Sequence, residues 1–251
     1  MPDKKPKVIA FCGKGGVGKT SLAALWVKIL TENPKHKVLA IDADPAIGLA
    51  TSLGFRVEKS VDSIRNDLIA RLEKKSVGSP ASIPGQLDYE LLDAMEEQNN
   101  LAFLAIGRPE KEGCYCQVNS MLRDLIRDLS LSFDYVIIDG EAGIEQVNRR
   151  VMEAVTHLCL VSDGSKKGIN VANTIASVAD NAIQYNSKMI IFNRIKAEEL
   201  SLLVKSTELE LLGWLPEDEQ LRRFDMEGTS LLELKASSSL NSVRQWIGHC
   251  H

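Results

Sequence analysis

The chain has no surplus of positive charge. Its 30 Lys and Arg stand against 34 Asp and Glu, a formal net charge of −4 over 251 residues. A broad basic face is therefore excluded, and with it a non-specific electrostatic grip on nucleic acid. Long apolar runs are missing too. Val8 to Cys12, Val136 to Ile138 and Leu158 to Val161 each meet polar residues within one strand's length, well short of the ~20 residues of a membrane span. Met1 to Lys7 is not followed by the apolar core of a signal peptide, so a cytoplasmic protein without a membrane partner is expected. Cysteine is scarce and odd in number, five residues at long spacings, which argues against a disulfide framework and leaves thiol or metal chemistry. No Pro/Gly/Ser-rich linker, internal repeat or low-complexity tract divides the sequence; residues 1–251 are expected to form one domain.

With 44% apolar and 25% charged residues, there is material for one sizeable core. Short runs of Val, Ile, Leu and Phe recur without polar alternation, as strands buried on both faces do. They are Val8–Cys12, Val38–Ile41, Ala102–Ile106, Tyr135–Ile138, Leu158–Val161, Met189–Phe192 and Leu211–Leu215. Helical patterns lie between them. Val118, Met121, Leu122, Leu125, Ile126 and Leu129 make one stripe on a 3.6-residue period; Val147, Val151 and Val155 repeat the signal, and Ile169 to Ile183 is another apolar-rich stretch. The alternation predicts an α/β fold, a doubly wound and mostly parallel sheet of about seven strands with helices on both faces. Glu58 to Asn100 is polar and charge-rich, with Ser76–Gly85 reading as an exposed loop between helical pieces.

Gly13 to Thr20 read GKGGVGKT between the first apolar strand and the helical segment Ser21 to Leu30, the context that a phosphate-binding loop of P-loop NTPases requires. Gly13, Gly15, Gly16 and Gly18 allow backbone N–H groups, Val17's included, to turn onto phosphate oxygens at a helix N-terminus. Lys19 would neutralise the β- and γ-phosphates, and Thr20, followed by Ser21, would ligate Mg²⁺. Tyr135-Val136-Ile137-Ile138-Asp139 supplies the acidic strand end expected of a second Mg²⁺ partner. Asp42 and Asp44, in Ile41-Asp42-Ala43-Asp44-Pro45, follow the second strand at the same edge, where one of them can orient an attacking water.

Lys14, a second lysine inside the loop, resembles the deviant phosphate loop of the dimeric ATPases that include the nitrogenase iron protein, the septum-site and chromosome-partitioning ATPases, and the accessory ATPases of nickel carbon monoxide dehydrogenase. The likeness runs over the whole chain in motif order. It implies ATP hydrolysis in a homodimer, with Lys14 reaching the partner's nucleotide and Asp44 positioning water. By the same resemblance Asn193 and the Leu215-Pro216-Glu217-Asp218 turn are adenine-contacting segments. Lys196 stands where a guanine-reading Asp would follow Asn193, which favours ATP. Ser21 replaces a Thr often found there.

Cys114 and Cys116 stand two residues apart after Gly113 and before the Val118 stripe. On extended backbone they point to one side, and a helix N-terminus favours their thiolates. One C-x-C gives two ligands and a closed thiolate site needs four; a two-fold dimer supplies the others. Zn²⁺, Ni²⁺ and an iron–sulfur cluster all accept four thiolates. The run Gly113-Cys114-Tyr115-Cys116-Gln117-Val118-Asn119-Ser120, with Asp139-Gly140-Glu141-Ala142-Gly143-Ile144-Glu145, closely resembles the nickel-insertion accessory ATPases of the CooC type. That resemblance implies carbon monoxide dehydrogenase as client and a Ni²⁺ or Zn²⁺ site at the dimer interface. Acetyl-CoA synthase maturation, a reductase with a [4Fe–4S] cluster, and a positioning ATPase are the alternatives. Cys12 and Cys159 lie in apolar strands and are expected to pack; the tail His249-Cys250-His251 is assigned no ligand role.

Overall fold

The computed structural model describes residues 5–73, 83–108, 116–140 and 155–248. Cys114, the helical stripe at Val147 and Val151, the Glu141–Glu145 run and the tail 249–251 lie outside the described residues, as does the side chain of Cys116.

Strands β1 (Lys7–Gly13), β2 (Val38–Asp42), β3 (Glu96–Gln98), β4 (Leu101–Ala105), β5 (Tyr135–Asp139), β6 (His157–Ser162), β7 (Ser187–Asn193) and β8 (Glu210–Leu215) form one sheet in the order β3-β4-β2-β5-β1-β6-β7-β8. Only the β3–β4 pair is antiparallel. The expected mostly parallel sheet is observed, with eight strands rather than seven. The extra one is Glu96-Glu97-Gln98, a polar edge strand held by backbone pairing and invisible to a search for apolar runs.

Both faces of the sheet are covered, which is why its strands read as continuous apolar runs. Along β1, Val8, Ala10 and Cys12 face one core and Ile9 and Phe11 the other. The second core receives α1 (Lys19–Thr31), α2 (Gly48–Leu53) and the last helix of the described chain. The first receives α3 (Val61–Glu73), α4 (Ile83–Asp93), α5 (Cys116–Ser130) and α6 (Lys166–Ala182). On α5 the stripe behaves as its period requires: Val118, Leu122 and Ile126 are buried, and Met121, Leu125 and Leu129 pack against them. The short α7 (Leu200–Val204) precedes β8; α8 (Glu219–Glu227) and α9 (Ser238–Ile247) follow it. The loop expected over Ser76–Gly85 is corrected at its end. α4 already begins at Ile83, because Pro84 lies in its first turn, where a missing N–H breaks no helical hydrogen bond.

α9 closes the second core. Leu240, Val243, Trp246 and Ile247 are buried, Trp246 lies 6.2 Å from Trp26, and its indole occupies the space that a side chain at Gly213 would need. Trp246→Ala is therefore expected to cost about 3–5 kcal/mol, seen as a lower urea midpoint at unchanged slope. No helix among the described residues is long and apolar enough to cross a membrane.

Candidate functional site

All seven parallel strands end at one edge of the sheet, so the loops that follow them converge there. Asp139 lies opposite Phe11 on one side and Asp42 on the other, and Asn193 lies opposite Leu215. Register thus brings to one edge the phosphate loop, Asp42, Asp44, Asp139, Asn193 and the 216–218 turn, which stand far apart in sequence.

The loop Gly13–Thr20 leaves β1 and turns directly into α1. Two of its glycines are sterically required. At Gly13 a Cβ would collide with the carbonyl of Val161 on β6, and at Gly18, with φ 93°, it would strike the carboxamide of Asn193. That carboxamide donates from Nδ2 to the Val17 carbonyl at 2.8 Å, locking loop to β7. Gly15 and Gly16 are exposed at the crown, while Val17 and Lys19 are buried. Lys19 Nζ donates to the Lys14 carbonyl at 3.3 Å, folding its ammonium back under the loop. The first turn of α1 has no side-chain cap and no acidic residue, whereas α6, α8 and α9 are capped by Ser165, Asp218 and Ser237. The free N–H groups of α1, its dipole and Lys19 together present an anion-binding cradle.

Beside it, Asp139 is fully buried and neither carboxylate oxygen has a hydrogen-bond partner among the described residues. Burial pushes its carboxyl up to about 7; the Thr20 hydroxyl, close by but short of hydrogen-bond geometry, and Lys19 pull the other way, and Asp42 and Asp44 push it further up. A buried carboxylate without donors is costly unless a cation joins it. Among the described residues no three His, Cys, Asp or Glu side chains form a group able to hold a metal ion by themselves. Mg²⁺ does not need one, since it takes one or two protein oxygens and completes its shell with phosphate and water. Thr20 and Asp139 fit that demand.

Asp42 is buried as well, and its environment differs. Its Oδ1 accepts from the Asp44 N–H at 3.1 Å and its Oδ2 from the Leu49 N–H at 2.8 Å. Burial raises its carboxyl to about 6 against those two hydrogen bonds. Asp42 is therefore the staple of the Asp44–Gly48 loop, and Asp44, partly exposed, is the one of the pair left facing outward. Ile47 in this loop holds φ 51°, unusual for a β-branched residue.

Lys14 points away from Lys19. Its Nζ pairs with Asp163 Oδ2 of the same chain at 2.8 Å, both side chains about 30% exposed (29% and 30%). Asp163 follows β6 and also accepts from the Ser165 hydroxyl at 2.6 Å. Burial raises its carboxyl, but Lys14 and the Ser165 donors outweigh this and hold it below the usual carboxylate range. No local pattern links Lys14 to a residue 149 positions away.

Next to the loop is a cavity of about 350 Å³ on which Ser21, Asn193, Pro216, Glu217 and Asp218 all lie. The expected base-contacting segments thus share one hollow. Asp218 has its own work there: Oδ1 caps α8 through the N–H groups of Gln220 and Leu221, and Oδ2 accepts from the Ser238 hydroxyl and the Ser239 N–H. Arg194, which closes the Ile190-Ile191-Phe192-Asn193-Arg194 run, and α8, through Arg222 and Asp225, complete the walls; no motif signals the α8 residues. Cys12 and Cys159 are buried, and burial pushes the Cys12 thiol up to about 12, chemically inert at neutral pH.

Comparison with known proteins agrees with this geometry. The model of the CobQ/CobB/MinD/ParA nucleotide binding domain matches residues 8–231. An uncharacterized ATP-binding protein of Methanocaldococcus jannaschii is 34% identical over 240 residues, covering 93% of each chain. The carbon monoxide dehydrogenase accessory protein CooC of Rhodospirillum rubrum is 27% identical over 237 residues, 90% of this chain and 89% of that one. The septum site-determining protein MinD of Pyrococcus horikoshii OT3, solved with Mg-ADP, shares the fold with a TM-score of 0.69 at 20% identity, over 97% of this chain and 96% of that one. A nucleotide cradle at the shared edge of an eight-stranded sheet, matched over nearly its whole length by the family's model, makes this chain a member of the CobQ/CobB/MinD/ParA family of P-loop nucleotide-binding proteins.

Proposed function

We propose that the chain is a Mg²⁺-dependent ATPase that acts as a metal-bridged homodimer and assists nickel insertion into carbon monoxide dehydrogenase. The feature that carries the reading is the pairing, in one chain, of an intact nucleotide cradle with the Gly113–Ser120 run of the sequence. α5 begins at Cys116, so in the sequence the two thiols fall at and just before a helix start, which favours their thiolates. Two copies meeting with these runs face to face would bring four thiolates to one ion, with nickel as cargo. The relationship to a CooC protein supports the assignment.

In the hydrolytic step, Lys19 and the N–H groups of α1 hold the phosphates, Thr20 and Asp139 hold Mg²⁺, and Asp44 orients the attacking water on a loop stapled by Asp42. Bound Mg²⁺ supplies charge neutralisation on the phosphate oxygens. Lys14 exchanges Asp163 for a phosphate of the partner's ATP.

A positioning ATPase of the septum-site kind is the competing reading, and one observation weighs against it. The apolar face of α9 is buried in the core, which leaves that helix no amphipathic face for a bilayer.

The test is native mass and metal content of the purified chain, with and without a non-hydrolysable ATP analogue and Ni²⁺ or Zn²⁺. One metal per dimer is expected, lost in the Cys114→Ala/Cys116→Ala double variant. A monomer under all conditions, or a double variant that still binds one metal per dimer, refutes the bridged site. A brown chromophore would move the assignment to the iron–sulfur reductase reading.

A further inference from the structure

Among the described residues, Ile47 is the β-branched one with a left-handed backbone, φ 51° and ψ 44°. A branched Cβ crowds the neighbouring backbone there, so the conformation persists only where the surroundings over-determine it. The other non-glycine residues of positive φ are Asn99 and Arg194, and neither is branched at Cβ.

The surroundings of Ile47 act from both sides. Before it, the Asp44 carbonyl accepts from the Ile47 N–H at 3.0 Å and Asp44 Oδ1 accepts from the Ala46 N–H at 2.9 Å, which closes a tight turn on Asp44. After it, the Leu49 N–H donates to Asp42 Oδ2 at 2.8 Å. Gly48 lies close to Thr20: a Cβ on it would stand 3.5 Å from the Thr20 methyl and 3.8 Å from the Thr20 hydroxyl. The Ile47 side chain itself packs against the second core. Pro45, its φ fixed by the ring, leaves the short span from Asp44 to Leu49 little slack. Turning residue 47 out of the left-handed region would therefore swing the Asp44 turn or lift Gly48 from Thr20. Because Ala46 holds one oxygen of Asp44, the same turn decides where the other oxygen points.

We propose that Ile47 is a positioning residue for hydrolysis: its left-handed backbone, seated by its side chain in the core, holds the Asp44 carboxylate at a fixed place relative to Thr20 and hence to the phosphates. This rests on the reading of Asp44 as the residue that orients the attacking water.

The test is kcat for Mg²⁺-ATP and the Kd of a non-hydrolysable ATP analogue with Mg²⁺, measured on the full chain and on Ile47→Gly and Ile47→Pro, each also combined with Asp44→Ala. Glycine permits the left-handed conformation without enforcing it. Proline forbids it and removes the N–H that closes the turn. Positioning predicts that Ile47→Gly lowers kcat roughly twofold to fivefold and Ile47→Pro about 10²-fold, with the analogue's Kd within twofold of the parent in both. Neither substitution should slow the Asp44→Ala chain further, since both act through that carboxylate. Should Ile47→Pro fail to fold, Ile47→Gly and its Asp44→Ala partner decide the matter. Parental or faster turnover in Ile47→Gly, an affinity that falls in step with kcat, or slowing that persists without Asp44 would make Ile47 a packing residue only and overturn the proposal. Failure of the underlying reading is seen separately, as parental turnover in Asp44→Ala alone.

Discussion

Lys14→Ala is expected to slow ATP turnover by about 10²–10³-fold, the usual loss when one preorganised charge-stabilising donor is removed from a transition state, and to leave the unfolding midpoint of the isolated chain almost where it was. The two halves of this expectation come from one geometry. Lys19, buried and folded under the loop, is the lysine we assign to the chain's own phosphates. Lys14 is instead held out toward Asp163, with both partners about 30% exposed. A pair so accessible to water contributes on the order of 1 kcal/mol or less, so releasing it is cheap, and Asp163 keeps its Ser165 donors when Lys14 departs. Phosphate release at saturating Mg²⁺-ATP, measured with urea unfolding on the same samples, decides the matter. Turnover within a few-fold of the parent would remove Lys14 from the chemistry. Asp163→Ala is the control, expected to be no slower than the parent; slowing as severe as that of Lys14→Ala would mean that the pair works as one structural unit.

Asp139→Asn is expected to act in opposite directions on stability and on function. Among the described residues the carboxylate is buried with no hydrogen-bond donor to either oxygen. Removing its charge should raise unfolding free energy at neutral pH by about 1–3 kcal/mol. The same change should weaken the affinity for Mg²⁺ in the presence of nucleotide by about 10–100-fold, read by titrating the metal at fixed ATP. A variant no more stable than the parent in metal-free buffer would show that Asp139 is satisfied without a cation, and the fit argued for Thr20 and Asp139 would fail. Sites kept at a cost to stability are where a fold departs from its own optimum, and an orphaned carboxylate at the end of a core strand is such a departure.

The parts of this molecule that were legible in its sequence are those where burial and period coincide. β1, β2, β5, β6 and β7 are buried over most of their length on both faces and appear as unbroken apolar runs; the α5 stripe declares its inward side residue by residue. β3 escaped because Glu96, Glu97 and Gln98 bury little and pair only through backbone. The start of α4 looks like loop in the sequence because Pro84 and Gly85 are loop-forming residues, although they occupy its first turn. The phosphate loop is legible because its glycines answer to fixed local demands, one of them the carbonyl of Val161 pressing on Gly13. The Lys14–Asp163 pair and the cavity wall of α8 are products of tertiary approach. α8 buries no residue fully and packs through Leu221 and Phe224 alone, too short a stripe to announce where it docks.

One edge of the sheet bears on how copies of this chain can meet. β3 spans three residues, runs against its neighbour, and carries two glutamates side by side. An outermost strand that is short, polar and negatively charged is a poor template for adding a further strand, and such edges discourage runaway stacking into fibrils. Crowding of the molecules should therefore not draw them into ribbon-like polymers along that margin, leaving self-recognition to surfaces shaped by side chains.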